Sequence, residues 1–105
     1  MKKLTKNYKD FLKEQLKDPA EALAYLNAAL EDKENPEVFL LALRDVAEAH
    51  GMRNIAKKAH LNREGFYQML SKTGNPTLTS LFSILNALGI GVRLNLNQDR
   101  MKKAA

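Results

Sequence analysis

An all-α fold is predicted: a small helical domain centred on two short helices joined by a tight turn, with two extra N-terminal helices and one short C-terminal β-strand. Three observations predict it. Leu and Ala dominate the apolar residues, while only five Gly and three Pro occur in 105 positions, a composition that favours helices. Apolar side chains recur at three- and four-residue spacing along most of the chain. The spacing switches to strict alternation only over 90–97. A chain of this length is expected to form one unit, burying roughly 60–70% of its unfolded surface.

The elements follow in order. Tyr8, Phe11, Leu12 and Leu16 predict a first helix over 8–16, with Lys9, Lys13 and Glu14 outward. Asp18-Pro19-Ala20-Glu21 is a helix start: Asp18 caps, Pro19 suits the first turn and Glu21 closes a capping box. The second helix should bury Leu23, Leu26 and Leu30, with Ala22, Tyr25 and Ala29 beside them, and end near Asp32. Asn35-Pro36-Glu37 repeats the start signal. The third helix is apolar at Val38, Phe39, Leu40, Leu41, Ala42, Leu43, Val46 and Ala47. So broad a face predicts a central helix covered on two sides. Gly51 is a left-handed terminator after His50.

A fourth helix is expected over 53–59 and a fifth over 63–71. Lys72-Thr73-Gly74-Asn75-Pro76 is a loop, and Thr77 or Asn75 caps a sixth helix. Its stripe is Leu78, Leu81, Phe82, Leu85 and Leu88, and Gly89 ends it. Ile90, Val92, Leu94 and Leu96 then alternate with Gly91, Arg93, Asn95 and Asn97. One strand is not a sheet, so this one must pair with a second copy of the chain or with another protein. The expected division is an N-terminal helical extension at 1–35, a core at 36–97 and a flexible tail at 98–105.

Charge is unevenly spread. The chain carries +5 overall. Residues 1–17 hold six Lys and two acids, 18–50 two basic and eight acidic groups, and 51–75 five basic and one acidic. The short helix pair is therefore basic and the segment before it acidic. A basic face suits a polyanion.

Other classes are disfavoured. With no Cys, neither a disulfide nor a thiolate metal site can form. His50 and His60 stand at helix ends without acidic partners at ligand spacing, so no metal is expected. No apolar run approaches the ~18 residues needed to span a membrane. Thr5, Lys6, Asn7, Lys9 and Asp10 stand where a signal peptide needs an apolar core. A cytoplasmic protein without a cofactor is expected. No nucleophile elbow, glycine-rich phosphate cradle or paired-acid pattern points to an enzyme.

The 54–88 stretch carries the functional signal. Ala56 and Ala59 allow close helix approach, Leu61 plugs the turn, and Phe66, Met69 and Leu70 anchor the fifth helix. Its other face carries Arg63, Glu64, Tyr67 and Gln68, with Asn62 at the start. Arg and Gln are side chains that form bidentate contacts with base edges, and a helix of this size fits the major groove of double-stranded DNA. Asn54, Lys57, Lys72, Thr73, Asn75 and Thr77 are candidates for holding the phosphate backbone.

The segment 36–91 resembles the phage-repressor-like, Xre-type helix-turn-helix family. Ala56, Leu61-Asn62-Arg63, Phe66, Met69, Gly74-Asn75-Pro76, Leu78 and Leu81 fall on that family's framework. The chain through residue 96 is more specifically similar to the addiction-module antidote proteins, a HigA-like antitoxin group. The motifs are residues 4–8, Tyr25-Leu26-Asn27-Ala28-Ala29-Leu30, Ala42-Leu43-Arg44-Asp45-Val46-Ala47, Arg63-Glu64 with Phe66-Tyr67, and Gly74-Asn75-Pro76. His60 stands where repressor-like turns often carry Gly, and Met52 where many such proteins place a phosphate-touching Gln.

The resemblance implies an antitoxin encoded beside a small, basic RelE-like toxin, which it binds while repressing their shared operon. A homodimer is expected, with the sixth helix and the strand residues Ile90, Val92, Leu94 and Leu96 as its elements. The toxin would meet either the acidic 18–50 segment, by charge complementarity, or the strand and tail, by strand addition. The alternatives are a stand-alone phage-repressor-like regulator and a protein-interaction module that has lost DNA.

Overall fold

Capping side chains and prolines set where helices begin in this chain. The computed structural model describes residues 2–97, with side chains from residue 7 onward. Six helices follow one another: α1 Lys2–Gln15, α2 Pro19–Leu30, α3 Glu37–Ala49, α4 Met52–Lys58, α5 Arg63–Met69 and α6 Leu78–Ala87. All six were expected, although α1 starts earlier than residue 8 and α5 stops short of 71. The tail expected at 98–105 lies outside the described residues.

Asp18 Oδ1 accepts the Ala20 N–H at 3.0 Å, and Pro19 opens α2. Thr77, not Asn75, caps α6 by accepting the Ser80 N–H at 3.1 Å. Asn35 departs from expectation. Its amide donates to the Asp32 carboxylate at 3.1 Å, and α3 starts after Pro36 without a side-chain cap. Both glycine stops form. Gly51 has φ +95° and Gly89 φ +77°. At the second stop, the Ile90 N–H reaches the Leu85 carbonyl at 2.9 Å, which satisfies a terminal acceptor of α6.

Helix α3 is central. It packs against α1 and α2 on one flank and α4 on the other, while α4 also meets α5 and α6. Leu43, Val46 and Ala47 are buried in one cluster with Leu16, Leu26, Ile55, Phe66, Leu70 and Ile84. Two polar contacts tie the flanks to it. The Tyr25 hydroxyl donates to Asp45 Oδ2 at 2.6 Å, and His50 Nε2 lies 3.0 Å from the Leu16 carbonyl, the geometry of an N–H donating to it.

Not every apolar position is core. Leu12 of α1 and Leu16 just beyond its end pack inward, but Tyr8 and Phe11 stay exposed. In α2 the inward stripe is Ala22, Tyr25, Ala29 and Leu26, while Leu23 and Leu30 lie about one helical step off it and remain half exposed. In α6 the stripe is Leu81, Ile84, Leu85 and Leu88, with Leu78 and Phe82 outside it.

The β-strand expected over 90–97 does not form in the single chain. Among the described residues there is no strand, and 91–97 form no regular element. A strand needs a ladder, and no second extended segment among the described residues supplies one. Ile90 packs on the core, whereas Val92, Leu94 and Leu96 are exposed.

Candidate nucleic-acid interface

Helices α4 and α5 are joined by Ala59, His60, Leu61 and Asn62. Ala56 and Ala59 are buried, as close approach requires. The turn closes with two bonds: Leu61 N–H to the Ala56 carbonyl at 2.9 Å and His60 N–H to the Lys57 carbonyl at 3.1 Å. Together they make a Schellman stop, whose left-handed position is normally glycine. Here it is His60, with φ +60°, the one non-glycine residue of positive φ among the described residues. Leu61 packs against the core behind the turn.

Asn62 caps α5 by accepting the Gly65 N–H on Oδ1 at 2.6 Å. A Cβ on Gly65 would stand 2.9 Å from that oxygen, so the absence of a side chain there makes room for the cap. Phe66 and Leu70 are fully buried and Met69 half-buried, which fixes the inner face of α5.

Arg63, Glu64 and Gln68 are exposed on the outer face, as is Asn62. Tyr67 is placed differently. Its ring is half-buried against the core, and the Arg44 guanidinium of α3 sits 4.9 Å from the ring centroid. Arg44 Nε is in turn 3.4 Å from Glu48 Oε1. Asn54 and Lys57 are exposed on α4, beside α5.

The remaining candidates form a second group. The 71–76 loop folds back on the end of α5: Ser71 Oγ donates to the Gln68 carbonyl at 2.7 Å, and Gly74 N–H to the Ser71 carbonyl at 3.0 Å. A Cβ at Gly74 would collide with the Met69 and Gln68 carbonyls, so only glycine allows this approach. Lys72, Thr73 and Asn75 line a cleft of about 610 Å³ whose opposite wall includes Asp32, Lys33 and Glu37. The Thr77 hydroxyl is engaged within its own cap, where it also donates to Ser80 Oγ at 3.0 Å.

Residue spacing does not point to the Arg44–Tyr67 contact. Its trace was Arg44 itself, one of only two basic residues in the acidic 18–50 stretch. Among the described residues no cluster of His, Asp or Glu is arranged to hold a metal ion, and no helix is long and apolar enough to cross a membrane.

The family model described as "Probable addiction module antidote protein" matches residues 7–96. The chain belongs to the addiction-module antidote family. The match takes in all of α2 to α6 and the 91–96 segment. An uncharacterised protein of Haemophilus influenzae is 41% identical over 88 residues, which are 83% of this chain and 90% of that protein. No solved structure matches the chain. Membership in an antidote family implies a toxin as partner. The exposed residues of α4 and α5 lie inside the matched span.

Proposed function

We propose that this antidote-family chain is the DNA-binding antitoxin of a toxin–antitoxin module, with no catalytic activity of its own. It neutralises a small, basic RelE-like toxin and represses the operon that encodes both. The observation that carries the proposal is α5. It is capped by Asn62, locked on α4 by the 59–61 turn, and directs Arg63, Glu64 and Gln68 outward from a basic segment. A helix so held is the element that enters a major groove in helix-turn-helix proteins.

In this reading Arg63, Glu64 and Gln68 face base edges, while Asn62 contributes at the start of α5. Tyr67 contributes through the edge of a ring that Arg44 holds. Asn54 and Lys57 bind phosphates from α4, and Lys72, Thr73 and Asn75 from the loop. Thr77 acts through the helix start it caps. Val92, Leu94 and Leu96 pair two copies, which sets half-sites about one helical turn apart.

The test is fluorescence anisotropy of the purified chain on the DNA upstream of its own gene, against a scrambled duplex, at two salt concentrations. A preference of ~10³-fold or more with a steep salt dependence is expected. Equal, weak binding to both duplexes would overturn the operator role. Co-purification with the product of an adjacent gene encoding a basic protein is the expected sign of the toxin.

A further inference from the structure

A cleft of about 290 Å³ lies between the start of α2 and the end of α6. Pro19, Ala22, Leu23, Val46, Leu88 and Ile90 line it. His50 is the one polar side chain in its otherwise apolar lining, and Leu23 at its edge is 47% exposed. The chain leaves this cleft through Gly91. Val92, Leu94 and Leu96 follow at once, 58%, 92% and 77% exposed. Within one copy, an apolar cleft and an apolar alternating segment thus stand side by side with neither covering the other.

We infer that this cleft receives the 91–97 segment of a second copy, so that each chain's Val92, Leu94 and Leu96 lie over the partner's Pro19, Ala22 and Leu23. The inference deepens the dimer proposed above and rests on it. Two paired strands are marginal in water unless a helix covers one face. The cleft beside α2 supplies such a floor. Charge fits as well: the segment's only ionisable side chain is Arg93, and Asp18 and Glu21 flank Pro19 and Ala22. Two-fold symmetry makes every such contact twice, which is how a short segment can hold a dimer.

The native chain has no Cys, which allows a clean crosslinking test on the full chain. Leu23→Cys and Leu94→Cys variants are mixed, oxidised and run without reductant, with light scattering to record the oligomeric state. A covalent dimer that forms in the mixture through a 23–94 bond is expected. Light scattering of Leu23→Asp should show dimer dissociation at a concentration about tenfold or more above wild type, with its helical circular dichroism retained. Arg93→Glu should weaken the dimer too, and Glu21→Lys should restore it. A dimer that persists in Leu23→Asp and gives no 23–94 bond would overturn the cleft while leaving the dimer. A wild-type chain that is monomeric at all concentrations would overturn both. A 23–94 bond that forms within one chain carrying both Leu23→Cys and Leu94→Cys, with no dimer, would show the segment folding onto its own cleft and would also overturn the inference.

Discussion

His60 holds a backbone conformation that its side chain disfavours. At φ +60° an L residue carries a penalty of roughly 1–2 kcal/mol that glycine does not, offset in part by the greater chain entropy glycine loses on folding. His60→Gly should therefore stabilise the chain by roughly 0.5–1 kcal/mol, read as a few degrees in Tm. An unchanged or lower Tm would mean that the histidine ring makes compensating contacts. The resemblance to repressor-like turns marks this position as one where glycine is common, so the departure was visible in the sequence. That the turn nonetheless closes with both terminal bonds was not, because the choice between strain and a rearranged turn depends on how firmly Ala56 and Leu61 are packed. Asn62 poses a different question, since its oxygen is already used by the Gly65 N–H. Asn62→Ala should lower stability by about 1 kcal/mol. Asn62→Asp keeps the cap, and so the stability, while placing a negative charge where DNA is proposed to sit. Anisotropy should show weaker operator binding for Asn62→Asp at unchanged denaturation midpoint. Undiminished binding would remove Asn62 from the interface and leave it a cap alone.

Among the elements, α2 is pinned to α3 by the Tyr25–Asp45 bond. Burial, reinforced by that bond and by the Asp45 charge, pushes the Tyr25 phenol well above its ordinary range. The folded state therefore keeps a proton that the unfolded chain releases near pH 10. The resulting stability is complete below about pH 10 and is lost as pH rises beyond it. Tyr25→Phe should be less stable than wild type at pH 8 by about 1 kcal/mol, the net worth of an ordinary hydrogen bond. The gap should shrink in urea melts above pH 10. A constant gap would mean that the phenol does not ionise differently on unfolding. The spacing predicts Leu23, Leu26 and Leu30 as the buried stripe of α2, and of these only Leu26 is buried. Spacing could not reveal that the inward face turns toward Ala22, Tyr25 and Ala29, or that Tyr8 and Phe11 of α1 stay exposed. A stripe defines a direction, and only the partner's length decides how much of the stripe is buried. The 90–97 alternation has the same limit: period two identifies one apolar face, but a ladder requires a second chain.

For the whole molecule the deciding quantity is the separation of charge, acidic over 18–50 and basic over 51–75. The basic α4–α5 unit was legible because its anchors, caps and charges all fall within thirty-odd consecutive residues. The acidic wall facing Lys72 was not, because Asp32 and Glu37 share a cleft with that loop despite lying more than thirty residues away in the chain. The two kinds of contact proposed for the interface should separate in a single set of titrations. Lys57 is exposed on α4, where a phosphate contact is sequence-independent. Lys57→Ala should weaken binding to operator and scrambled DNA alike and flatten the slope of log K against log salt by about 0.9. Gln68 is a bidentate reader in the proposal, so Gln68→Ala should lower operator affinity by about 1–3 kcal/mol and relax preference at one base pair. Its salt slope and its affinity for scrambled DNA should stay where they are in wild type. A loss shared equally by both duplexes would make Gln68 a backbone contact, and a Lys57 variant with the wild-type slope would place α4 away from the DNA.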